Sequence, residues 1–262
     1  VRVHLLQTDV IWEDPEANLR GIAAACEAMA PSPGDLVVLP ELCTTGFSPA
    51  VAARLAEPTD GPTVRALRAL ADRYGIRLVA GLPLHDDAGR PRNAALLLDA
   101  TGPLARYDKL HPFSPPDEGA HLAAGDRVIL TTLDGMKCSL FICYDLRFPE
   151  VFRTAAAAGA ECLIVIASWP DARAEHWRLL LRARAVENQA IVIGVNRAGT
   201  DPMFRFPGRS AVIGPHGEAW IELGDRPGWG SASLDPEEVR SWREQFPALR
   251  DRRSDPPRVT EV

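Results

Sequence analysis

MKCSLFICYDLRFPEVFRTAAAAGAECLIVIASWPDARAEHWRLLLRARAVENQAIVIGVN, residues 136–196, is the stretch whose reading decides the fold. Residues 136–143, which include the apolar run Leu140-Phe141-Ile142, read as a strand, and Pro149 suits the first position of a helix beginning there. A second apolar run at 162–167 precedes helical spacing over 174–188, and a third strand follows at 190–195. This is a β-α-β-α-β series, the pattern of a sheet covered by helices.

The N-terminal half opens in the same way. Residues 3–10 and 35–39 read as strands around a helix over 15–30, with Asp14 as its N-cap and Pro15 at its first position. A helix over 62–74 stops at Gly75, and a buried strand resumes at 76–80. Runs near 93–99 and 104–108 are joined by turn chemistry at Thr101-Gly102. Residues 109–127, rich in Pro, Gly and polar side chains, form a loop long enough to expect a function of it. Short strands near 210–214, 218–222 and 230–234 precede a last amphipathic helix over 235–245. Crossovers mixed with hairpins predict two sheets face to face with helices outside, a four-layer α-β-β-α sandwich. We expect a single domain over 1–250 and a C-terminal tail over 251–262.

With 46% hydrophobic and 24% charged residues, the chain has an ordinary globular composition. A formal charge of -6 argues against nucleic acid as a main partner, since that affinity is built from clustered Lys and Arg. No apolar run approaches a membrane span, and Val1–Val10 lacks the pattern of a signal peptide. The five cysteines form no CxxC pair, so reduced thiols in the cytoplasm are expected.

Three residues stand at strand ends. Glu41 follows Leu36-Val37-Val38-Leu39-Pro40, where a carboxylate emerging from a buried strand either bonds loop amides or serves chemistry. Lys109 ends 104–108 and opens the long loop; taken singly it reads as a surface lysine. Cys143 closes Leu140-Phe141-Ile142 ahead of a helix start, where amide N–H groups and the helix dipole stabilise thiolate; the alternative is a buried inert thiol.

LPE at 39–41, YDK at 107–109 and CYDLRFPE at 143–150, in that order, resemble the Glu-Lys-Cys motifs of the nitrilase, or carbon–nitrogen hydrolase, superfamily. The resemblance runs from HLLQTDV at 4–10 to FPALRD at 246–251, and ASWPDARAEHW at 167–177 is similar to the bacterial omega-amidase branch. It implies a cofactor-free thiol amidohydrolase. Cys143 is the implied nucleophile, Glu41 the general base, and Lys109 with the backbone N–H of Tyr144 the oxyanion donors. A second carboxylate is implied in the loop after the lysine; Glu118 fits by spacing, with Asp117 its neighbour and competitor.

The implied substrates are small 2-oxo acid omega-amides such as 2-oxoglutaramate and 2-oxosuccinamate. Their distal carboxylate calls for a guanidinium, and Arg147, Arg173 and Arg197 are candidates, with Arg173 preferred. Arg147 follows the nucleophile so closely that a structural ion pair is an equal reading. Phe47 and Trp169 are candidate pocket walls. Arg184, Glu187 and Asn188, spaced i, i+3, i+4, read as structural. No GxSxG, SxxK, HExxH, Walker A or GxGxxG occurs, which disfavours serine, metal and phosphate-dependent chemistry. Rival readings are a deaminated-glutathione amidase, a carbamoyl-amine hydrolase and, from another class, a catalytically silent scaffold that binds small carboxylates or proteins. The resemblance also implies a homodimer paired across the helices that flank the Cys143 strand.

Overall fold

The computed structural model describes residues 1–115 and 117–253. In chain order its elements are β1 (Arg2–Gln7), α1 (Pro15–Met29), β2 (Leu36–Val38), α2 (Pro49–Arg54), α3 (Pro62–Tyr74), β3 (Arg77–His85), β4 (Pro91–Asp99) and β5 (Gly102–Asp108). Then follow β6 (Thr131–Leu133), β7 (Met136–Ile142), α4 (Pro149–Ala157), β8 (Cys162–Ala167), α5 (Ala174–Asn188), β9 (Ile191–Asn196), β10 (Ala198–Thr200) and β11 (Arg205–Pro207). The described chain closes with β12 (Ala211–Ile213), β13 (Ala219–Glu222), β14 (Gly228–Ser233) and α6 (Pro236–Gln245).

Two six-stranded sheets result, one in the order β14-β1-β2-β3-β4-β5 and one in the order β13-β12-β9-β8-β7-β6. Alternate residues on each strand face opposite ways, and the burial follows that alternation. Val3, Leu5, Val38, Val79, Ala95 and Leu97 join Leu140, Ile164 and Ile193 of the other sheet in one core, which continues to Phe152 and Trp177 on α4 and α5. Their neighbours Leu6, Val37, Leu78, Ala80 and Leu96 face the other way and pack on Ile22, Cys26, Val64 and Leu67 of α1 and α3. The molecule is therefore the expected four-layer α-β-β-α sandwich.

Local chemistry fixes the helix ends. Asp14 Oδ1 accepts from Ala17 N at 2.9 Å at the start of α1. Gly75 takes the left-handed conformation that ends α3. Several expectations are corrected. The first strand stops at Gln7 because the chain then leaves the sheet, Ala198 N donating to Thr8 O at 2.9 Å. The strand expected at 76–80 runs on to His85, since β4 pairs with it from Leu78 to His85. Within the long loop, Glu118–Ala120 forms a single 3-10 turn. Of the tail, 254–262 lies outside the described residues.

The strands that matter end together. β7, β8 and β9 run parallel, Ile142 opposite Ile166 and Ala167 opposite Asn196, so Cys143, Ser168 and Arg197 all begin loops at one rim. Ligands of parallel sheets bind at such carboxyl ends.

Candidate active site

Glu41 reaches the rim through a tight turn after β2. Leu42 has φ of 44°, and the turn presses on β3, where a Cβ on Gly81 would lie 2.5 Å from Glu41 Cα. Only glycine allows that approach. The carboxylate is fully buried and fully engaged: Oε1 accepts from Lys109 Nζ at 2.7 Å and Asn93 Nδ2 at 2.8 Å, and Oε2 from Ser168 N at 2.8 Å.

Lys109 is not the surface lysine of the single-residue reading; it is 2% exposed. β4 holds its backbone, Lys109 N donating to Asn93 O at 2.9 Å. Its ammonium lies between Glu41 and Glu118, 2.7 and 2.8 Å away. Burial pulls its pKa down, but the charges of Glu118 and Glu41 outweigh that and hold it above the usual lysine range. The group is a permanent cation. Glu118, rather than the exposed Asp117, is the loop carboxylate that meets it. Asn93 Nδ2 donates to Glu118 Oε1 at 2.8 Å, and Phe113 N to Oε2 at 2.7 Å.

Cys143 opens a 3-10 turn (Cys143–Arg147) with φ of 46°, a conformation that side-chain-bearing residues rarely adopt. The turn is braced by Asp145, fully buried, whose oxygens accept from Ile142 N at 3.0 Å, Tyr107 OH at 2.8 Å and His111 N at 3.0 Å. The nucleophile turn is thereby tied to β5 and to the loop that carries Glu118. The expectation of a stabilised thiolate is corrected. Burial pushes the Cys143 thiol well above its ordinary pKa, the charge of Glu41 adds to that, and Lys109 only partly offsets it. The resting group is a thiol with a base and a cation acting on it.

Cys143 lies in a cleft whose walls include Phe47, Phe113, Trp169 and Phe204 and which also holds Tyr144, Arg147 and Arg173. Neither Arg147 nor Arg173 has a carboxylate partner among the described residues: Arg147 lies 4.8 Å from the Trp169 ring centroid and Arg173 5.5 Å from that of Phe113. The structural ion pair considered for Arg147 is not formed among the described residues, where its Nη2 lies 3.3 Å from His176 Nδ1. Arg197 is removed from the substrate candidates, because it is fully buried and paired with Asp201 at 3.1 Å. Arg184 bonds Glu187 and the Leu146 carbonyl, bracing the end of the nucleophile turn.

The structure thus gathers Glu41, Lys109, Glu118 and Cys143, with Tyr144, Arg147, Arg173, Trp169 and Phe47 around the cleft. It adds Asn93, Asp145 and Ser168, which the sequence reading missed. Asn93 was visible as the one amide side chain heading an otherwise apolar strand, and Asp145 as the carboxylate two residues after the cysteine. Nothing local marks the Ser168 amide, whose role comes from tertiary contact.

The chain's residues 2–244 match the family model described as carbon-nitrogen hydrolase. It is 36% identical to 2-oxoglutaramate amidase of Bacillus subtilis over 255 residues, 97% of this chain and 98% of that one. It is 34% identical to omega-amidase YafV of Escherichia coli, with 96% of each chain covered. A crystal structure of a CN-hydrolase superfamily protein from Xanthomonas campestris, with an arsenic adduct in its active site, superposes with a TM-score of 0.91 at 34% identity, covering 98% of both chains.

Proposed function

This chain belongs to the carbon–nitrogen hydrolase family and is an amidase of it, and from that premise we propose that it hydrolyses the terminal amide of small 2-oxo acid omega-amides through a Cys143 thioester. The observation that carries the reading is Lys109 Nζ clamped at 2.7 and 2.8 Å between two buried carboxylates beside a buried thiol.

Because the thiol is protonated at rest, it needs a base at the moment of attack, and Glu41 is the carboxylate whose charge bears on it most. In this reading Cys143 Sγ bonds to the amide carbon as its proton passes to Glu41. Lys109 and the Tyr144 N–H stabilise the oxyanion. Collapse breaks the C–N bond, Glu41 returns the proton to the nitrogen, and ammonia leaves a thioester. Glu41 then takes a proton from water as the water attacks that thioester, and the acid is released with the thiol restored. Glu118 keeps Lys109 in place through the whole cycle.

The residues lining the cleft support this substrate class. It holds two guanidinium groups that have no carboxylate partner among the described residues, which suits an acid with a carboxylate remote from its amide. The names 2-oxoglutaramate amidase and omega-amidase among the relatives support the same class.

Ammonia release from a panel of 2-oxo acid amides tests the reading, with Cys143→Ala as control. We expect turnover of 2-oxoglutaramate or 2-oxosuccinamate and none by the variant. Turnover of the glutathione-derived amide alone moves the assignment to that substrate, and equal rates from the variant end the thiol mechanism. We further propose a homodimer paired through α4 and α5, supported by Leu179 and Val186, 67% and 52% exposed and one heptad apart on α5.

A further inference from the structure

Adjacent side chains at the end of β9 hold two aromatic walls of the cleft. Asn196 fixes Trp169 through its backbone, accepting from Trp169 N at 2.7 Å and donating to Trp169 O at 3.1 Å. Arg197 serves the other wall. A fully buried guanidinium is costly to desolvate and must be paired. Its Nη1 donates to Asp201 Oδ2 at 3.1 Å, and the Asp201 side chain is itself only 1% exposed.

The second oxygen of Asp201 shapes the turn between β10 and β11. Oδ1 accepts from Met203 N at 2.9 Å and from Phe204 N at 2.8 Å, while Asp201 N donates to Phe204 O at 2.9 Å. One carboxylate therefore joins a buried cation to the backbone of Phe204, whose ring lines the cleft. The ring of Phe206 completes the set, edge-on to Phe204 at 6.3 Å and 4.2 Å below the Arg197 guanidinium. The hairpin also leans on the turn that carries Arg173, Arg205 Nη1 lying 4.0 Å from Asp171 Oδ2. Phe204 and Arg173 both line the cleft.

We propose that Asp201, anchored by Arg197, is a positioning residue that fixes Phe204 as a wall of the cleft and so limits the length of acyl chain the enzyme accepts. The inference rests on the amidase reading above, in which Arg173 receives the distal carboxylate. An apolar wall that excludes one extra methylene discriminates by about 10- to 200-fold, so the device is strong enough to set a preference.

The test is kcat/KM for succinamic, glutaramic and adipamic acids alongside 2-oxoglutaramate. Phe204→Ala is expected to raise the long-to-short ratio by about tenfold or more. Asp201→Asn is expected to move the same ratio in the same direction, and to add nothing when combined with Phe204→Ala, because both act on one wall. A purely structural Asp201 lowers every substrate alike and leaves the ratio unmoved, which overturns the proposal, as do shifts that multiply in the double variant. Should Asp201→Asn not fold, an unmoved ratio in Phe204→Ala is enough to overturn it. Failure of the wild type on every amide defeats the amidase reading itself, whereas an active wild type whose preference ignores both residues defeats only this inference.

Discussion

At the scale of single residues, the site turns on a thiol held neutral by its surroundings. Glu41 raises the Cys143 pKa, so Glu41→Gln is expected to bring the thiol's titration down while hydrolysis falls by about 10²- to 10⁴-fold. Ultraviolet thiolate absorbance against pH, paired with ammonia release, reads both; activity that rose with the thiolate fraction would contradict Glu41 as the base. Glu41 and Cys143 were legible in sequence because each sits where an apolar run ends, and Lys109 only through the resemblance of YDK at 107–109 to the family's motif. Their mutual geometry was not. The clamp depends on Asn93 and on the Ser168 amide, and the direction of the Cys143 shift depends on burial behind a loop that no local pattern reveals. A strand end followed by a helix start reads as a thiolate site, yet a 3-10 turn with positive φ intervenes and desolvation prevails.

Among elements, the close approach of β3 to the Glu41 turn is the most sensitive joint. A Cβ on Gly81 would lie 2.5 Å from Glu41 Cα and 2.6 Å from the Pro40 carbonyl, backbone that cannot yield cheaply. Gly81→Ala is expected to cost about 1–3 kcal/mol and to reduce activity further by displacing Glu41. Gly21→Ala is the contrasting control: it lies within α1 with nothing within 4 Å, and is expected to stabilise by about 0.5–1 kcal/mol. Urea midpoints for the two variants moving in the same direction would count against this packing. Long elements with strong periodicity were readable; the helix expected over 174–188 is α5 at Ala174–Asn188. The pieces α2, β6, β10 and β11 were not, since three to six residues carry too little pattern and their hydrogen bonds go to distant chain. That is why the hairpin carrying Phe204 went unnoticed.

For the whole molecule, the layered core governs alkaline behaviour and assembly. Burial raises the pKa of Cys26 to about 11, of Cys43 to about 12 and of Cys143 well above the ordinary value, and a side-chain hydrogen bond with Cys138, together with burial, does the same for Cys162. Raised folded-state values mean that the native chain keeps protons which the unfolded chain loses. Stability is then intact below the unfolded thiol pKa of about 8.5 and declines as pH rises past it, by up to about 1.4 kcal/mol per unit per thiol. Urea midpoints under reducing conditions check this, and a flat profile through that range would refute it. If α5 pairs subunits, Leu179→Asp with Val186→Asp is expected to convert a dimer to a monomer in light scattering; an unchanged mass would exclude that face. The central claim, that catalysis passes through sulfur, is tested most directly by intact-protein and peptide mass spectrometry of enzyme acid-quenched during turnover of 2-oxoglutaramate. The account predicts an acyl adduct, equal in mass to the substrate less ammonia, on the peptide containing Cys143; an unmodified Cys143 peptide together with full turnover by Cys143→Ala would contradict it.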